Sequence, residues 1–150
     1  GEAASKLSDL TEGSFQYVID DPRAEGRKEE IKRLVLCSGR VYYDLDGHDR
    51  REDATDVAIA RVELIYPFPK AQIDELIGTY PNLEEIVWAQ EEPQNMGPWH
   101  AMERRLPDAI GERGLEVRYV GRPERASPSE GYPAAHRSEQ ERIVLTALTG

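Results

Sequence analysis

Glu91 and Glu92 sit side by side between Gln90 and Pro93, where an apolar run turns abruptly polar. Two close carboxylates can split their proton affinities and work as general acid and base. Adjacent residues at a strand end point in different directions, however, so the stronger expectation is structural. Gln90, Glu91, Glu92, Asn95 and Trp99 would fix a loop against a neighbouring domain or subunit by hydrogen bonding and packing. Ser38-Gly39-Arg40 forms a second cluster, at the carboxyl end of an apolar run. A helix start there offers free N–H groups, and Arg40 adds a fork of donors for an anion. Lys70 joins it as a candidate effector-binding residue by charge and placement, while capping by Ser38 explains the same turn without a ligand.

The remaining reactive residue types offer less. His48, His100 and His136 lack metal-ligand spacing, so no metal site is expected. His136 and Glu139 are three apart, the spacing of a surface helix pair. Cys37 lies inside an apolar run and reads as a small core residue. Trp88, Trp99, Tyr66 and Phe68 suit either a docking surface or internal packing, with packing favoured for the tryptophans.

These residues need a scaffold, and the hydrophobic pattern supplies one. Continuous or alternating apolar runs at 14–19, 33–37, 57–62, 85–89 and 116–120 read as strands. Between them lie helical patterns: one carrying Val41, Tyr42 and Leu45, and one opened by Pro69 and stopped by Gly78. A third is opened by Gly97-Pro98, with Trp99, Met102, Leu106 and Ile110 on one stripe and Pro107 near its end. The last runs from about Ala135 and turns Ile143, Val144, Ala147 and Leu148 inward. Strands alternating with helices imply crossovers and a mostly parallel sheet between two helical layers. Segments 44–56 and 122–133 are polar loops.

The chain of 150 residues suits one domain, with residues 1–13 as an incoming linker and 14–150 as the folded unit. Its net charge of −10 argues against nucleic acid and anionic membranes as partners. A single cysteine, no apolar run of membrane-spanning length and no signal-like start point to a cytoplasmic setting.

Several motifs, in order, resemble one family. They are Glu12-Gly-Ser-Phe-Gln16 with Val18-Ile-Asp20, Leu36-Cys-Ser-Gly39 with Val41-Tyr-Tyr-Asp44, and Arg61-Val-Glu-Leu64 with Tyr66-Pro-Phe-Pro69. Tyr80-Pro-Asn82, Gln90-Glu-Glu-Pro93 and Asn95-Met-Gly97 follow. The series closes with Tyr119-Val-Gly-Arg-Pro123, Ala126-Ser-Pro128, Gly131, His136 and Glu139-Gln140. The chain resembles the C-terminal domain of the thiamine-diphosphate-dependent decarboxylating subunit of 2-oxoglutarate dehydrogenase, and of the related actinobacterial 2-oxoglutarate decarboxylase. Arg40 stands where that family usually has Lys, and Gly47 interrupts a helix, so 45–56 is expected to be looser.

The resemblance implies a three-layer α/β/α fold of the transketolase C-terminal type, with a five-stranded sheet whose first strand is antiparallel. It implies no catalytic residue and no cofactor within these residues. Thiamine diphosphate and Mg would be held by preceding domains of the same chain, across a homodimer. It also implies a dihydrolipoyl succinyltransferase partner and, from the actinobacterial relatives, acetyl-CoA as an effector. Rival expectations are a free-standing acyl-CoA or nucleotide-sensing module of the same fold, and a hydrolase using Glu91 and Glu92.

Overall fold

A computed structural model describes residues 16–125 and 133–150. The incoming segment 1–13, the start of the first predicted strand and the 126–128 and 131 motif positions lie outside the described residues. The strands are β1 (Val18–Ile19), β2 (Arg33–Cys37), β3 (Val57–Val62), β4 (Glu85–Pro93) and β5 (Glu116–Arg122). The helices are α1 (Val41–Asp46), α2 (Lys70–Gly78), α3 (Trp99–Ile110) and α4 (Pro133–Thr149). The five strands form one sheet in the order β1-β3-β2-β4-β5. All pairs are parallel except β1 with β3. This is the expected three-layer α/β architecture with an antiparallel first strand.

The alternation of side chains along the central strands divides the core into two layers. Leu34, Leu36, Ala58, Ala60, Ile86 and Trp88 face α2 and α3, meeting Ile73, Leu76, Ile77, Met102 and Leu106. Val35, Cys37, Val57, Ile59, Val87 and Ala89 face the other way, onto Val41 and Leu45 of α1 and Ile143, Val144, Ala147 and Leu148 of α4. Both faces being covered is why these strands read as unbroken apolar runs.

Element boundaries follow local chemistry. Asp21, two residues beyond β1, accepts a hydrogen bond from Arg23 N–H at 2.9 Å and starts a short 3-10 turn at Pro22–Ala24. α1 stops at Asp46 with Gly47 as its C-cap, the break expected there. Pro107 lies within the last turns of α3 and does not end the helix before Ile110.

Three expectations need correction. β4 does not end at Ala89 but runs through Gln90, Glu91 and Glu92 to Pro93, and β5 continues to Arg122. Ser38 does not cap α1, whose N-cap position is Arg40 with no side-chain cap. Segment 44–56 is not simply a wet loop, because Arg51 within it is buried.

At the amino ends of the strands, Glu85 of β4 accepts from Arg33 Nε of β2 at 2.7 Å and from Arg118 of β5 at 3.0 Å. Arg33 also donates to the Ala147 carbonyl at 3.1 Å, tying in the end of α4. Burial pushes the Glu85 carboxyl up, but the Arg118 hydrogen bond and the Arg33 charge outweigh it and hold it below its ordinary 4.5. A depressed folded pKa contributes stability that is present above the unfolded value and is lost as pH falls through the folded one. Melting curves should therefore show wild type more stable than Glu85→Gln at neutral pH, with the gap closing below about pH 4.5. A gap that does not change with pH would mean the charge on Glu85 contributes nothing.

Candidate functional site

The carboxyl ends of parallel strands are where open α/β sheets place ligands, and here β4 departs from regular pairing. Ala89 pairs with Val120 and Pro93 with Arg122, so β4 spends four residues where β5 spends two. Such a bulge re-aims the side chains within it. It turns Gln90 into the core, at 2% exposure, rather than onto the rim.

Gln90 is the hub of the loop. Its Oε1 accepts from Trp88 Nε1 at 2.8 Å and from the backbone N–H of Trp99, the first residue of α3, at 2.9 Å. Its Nε2 faces the carbonyls of Glu92 at 3.1 Å, Pro93 at 3.0 Å and Met96 at 2.8 Å. One carboxamide thus satisfies a helix-start donor, a buried indole and the turn that follows the strand. Trp99 is buried too, its ring 5.2 Å from that of Tyr119. Asn95 links the same loop to the segment after β5, donating to the Arg125 carbonyl at 2.8 Å and accepting from Arg125 N at 3.1 Å.

Gly121 lies opposite the bulge because nothing larger fits. A Cβ there would lie 2.6 Å from the Tyr119 ring and 2.9 Å from the Gln90 carbonyl. Gly121→Ala should therefore cost about 1–3 kcal/mol by overpacking, with the loss read as a lower melting temperature. An unchanged melting temperature would mean that the bulge is not held rigidly.

The two glutamates diverge. Glu91 Oε1 accepts from Arg40 at 3.2 Å and from Gln140 Nε2 at 3.2 Å, and the same Gln140 nitrogen donates to Asp44 at 2.8 Å. Arg122, buried at the end of β5, donates to the Glu91 carbonyl and faces Gln140 Oε1 at 3.2 Å and His136 Nδ1 at 3.3 Å. Glu92 instead lies along Gly97, whose positive φ of 68° makes the turn. Glu91 is engaged as an acceptor and Glu92 is turned elsewhere, so the described geometry does not assemble the two carboxylates into an acid–base pair. Beside the Glu91 cluster, a groove of about 990 Å³ runs between α1 and α4, lined by Arg40, Tyr43, Asp44, His48 and Gln140 among others.

Lys70 is not brought to the Ser38-Gly39-Arg40 turn. Arg40 lines that groove, with its side chain 74% exposed and paired to Glu91. Lys70 opens α2 on the opposite face of the sheet and lines a separate cavity of about 330 Å³. Sequence reading weighed His100 only as a metal ligand and did not single out Arg104 or Arg105; all three line this second cavity. The signal was present, since these positions share a helix face away from the apolar Trp99-Met102-Leu106 stripe.

Other side chains fall as follows. Cys37 is fully buried, and burial pushes its thiol up to about 12, so it stays protonated. His48 pairs with Glu141 at 2.8 Å. His136 turns to Arg122, while Glu139 pairs with Arg142 at 2.9 Å, so the expected His136–Glu139 pair is not made. That hydrogen bond holds the Glu139 carboxyl below its usual range. Trp88 is core, and Tyr66 is 71% exposed. Among the described residues, no helix is long and apolar enough to cross a membrane.

Taken together, fold and site define a three-layer α/β domain whose strand-end polar side chains hydrogen-bond one another and the turn that follows β4. The chain belongs to the family described as 2-oxoglutarate dehydrogenase C-terminal, which matches residues 4–148. It is 45% identical over 149 residues to a 2-oxoglutarate dehydrogenase E1 component of an Exiguobacterium species, an alignment covering 98% of this chain and 16% of the relative. The corresponding protein of Bacillus subtilis is 45% identical over 147 residues, covering 97% and 16%. That of Cupriavidus necator is 40% identical over 147 residues, covering 98% and 15%. The chain thus spans about a sixth of the length of these relatives.

Proposed function

We propose that this chain serves as the non-catalytic C-terminal domain of the thiamine-diphosphate-dependent subunit of 2-oxoglutarate dehydrogenase. In that role it completes a homodimer and buttresses loops around the thiamine site. The β4–α3 loop is the contact element: Gln90 and Trp99 hold it from inside, and Glu91, Glu92 and Asn95 shape its outer side. The parent subunit decarboxylates 2-oxoglutarate and passes the succinyl group to lipoyl groups of a dihydrolipoyl succinyltransferase, within the tricarboxylic acid cycle in the cytoplasm.

The observation that carries this reading is the match along nearly the whole chain to E1 components about six times its length. Among the described residues, no group of three His, Cys, Asp or Glu side chains is placed to hold a metal ion, and the strand-end polar cluster is occupied by its own hydrogen bonds. In this proposal thiamine diphosphate and Mg are held by the preceding domains, and no chemical step runs through these residues. Effector sensitivity, with acetyl-CoA as one candidate, is assigned to the Ser38-Gly39-Arg40 turn, whose exposed Arg40 supports it.

The test is the size of the native polypeptide, read with an antibody raised against this domain. The expected band is several times heavier than 17.0 kDa. A band at 17.0 kDa would instead favour a free-standing acyl-CoA or nucleotide-sensing module.

A further inference from the structure

The 330 Å³ cavity between the Ile65–Phe68 loop and α3 gathers Lys70, His100, Arg104 and Arg105 around a single acid, Asp108. This concentration of positive charge occurs in a chain whose net charge is −10. Elsewhere, arginines meet carboxylates: Arg33 with Glu85, Arg51 with Asp21, Arg113 with Asp74 and Arg142 with Glu139. Among the described residues, the side chains of Lys70, Arg104 and Arg105 make no hydrogen bond or ion pair. The cavity walls are apolar, from Ile65, Pro67, Phe68 and Ala101, and exposed Tyr66 stands at the rim.

The form of the site favours one kind of occupant. All three cations are exposed. None is held in a desolvated cradle of the kind a small anion needs for tight binding. Exposed arginines and a tyrosine around an apolar hole instead match the anatomy of a protein interface, where a buried side chain anchors and charged groups at the rim confer specificity. A domain filling 16% of its relatives' length has most of the polypeptide available as a neighbour.

Resting on the reading that this chain is part of a longer subunit, we propose that this pocket docks an acidic segment of that same polypeptide. An apolar side chain enters the cavity, and flanking carboxylates meet Lys70, Arg104 and Arg105. This surface lies on the α2–α3 face, across the sheet from the Arg40 groove.

The test uses the full-length subunit. Zero-length carboxylate–amine cross-linking should join Lys70 to an acidic residue of the same chain outside these 150 residues. In Arg104→Glu/Arg105→Glu, that cross-link should vanish, and amides of Ile65, Tyr66 and Phe68 should exchange at least about tenfold faster, while those of β2 stay unchanged. The proposal is overturned if Lys70 forms no such cross-link, if it joins another subunit, or if exchange at 65–68 is unaffected. It is also overturned if inorganic pyrophosphate binds wild type saturably and the Arg104→Ala/Arg105→Ala variant does not, since the pocket would then serve a small anion. A native band at 17.0 kDa removes the longer-subunit reading and this proposal together, whereas a heavy band with Lys70 unlinked removes the docking alone.

Discussion

Replacing Arg51 with methionine should cost about 3–5 kcal/mol of stability, because it strands the Asp21 carboxylate in the interior without its counter-charge. The side chains of Arg51 and Asp21 are only 3% and 2% exposed. Arg51 donates to Asp21 Oδ2 and, at 3.2 Å, to the Val57 carbonyl; the same Asp21 oxygen accepts from Ile59 N at 2.8 Å. The pair pins the segment after β1 and the turn before β3 to the body of β3. For a chain of this size the loss corresponds to a melting temperature lower by roughly 10 °C. The double variant Asp21→Asn/Arg51→Met removes both charges and keeps an acceptor for Ile59, so it should recover much of the loss. Additive losses in that cycle would show that the two residues act independently.

Gln90→Leu should be the most damaging change in the β4–α3 loop, at about 2–4 kcal/mol, because it leaves buried donors and acceptors unpaired. The Trp88 indole and the first N–H of α3 lose their acceptor, and the Met96 carbonyl loses its donor, while the Glu92 and Pro93 carbonyls keep only the Tyr119 hydroxyl and Met96 N–H. Glu91→Gln should change stability by less than about 1 kcal/mol, because its partner Arg40 is largely in water. Denaturant unfolding of the two variants separates a loop-holding role from a surface one. Equal stability of Gln90→Leu and wild type would defeat the account of the hub.

Much of this was legible in the residues themselves. Val35 and Leu36 lie in an unbroken apolar run because both faces of β2 are covered, and the 3.6-residue stripes of α3 and α4 match their buried faces. Pro69, Gly47 and Gly97-Pro98 mark real boundaries because backbone constraints act locally. The β4 bulge was not legible. Whether Gln90 points to the rim or the core depends on how β4 pairs with β5, thirty residues on, and no local pattern encodes that register. Arg51 was read into a wet loop for the same reason, since its partner Asp21 is distant in sequence and charge alone favours exposure.

The sequence by itself determined the layer order, the strands and helices, the acidic character and, through its motifs, the family. Periodicity, backbone restriction and residue type are properties of short windows of chain. Only the tertiary structure decided which polar groups are buried, that the two glutamates part company, and that Lys70 shares a cavity with Arg104 and Arg105 rather than with Arg40. Those outcomes depend on long-range pairing and on desolvation, which arise only when distant segments are packed together.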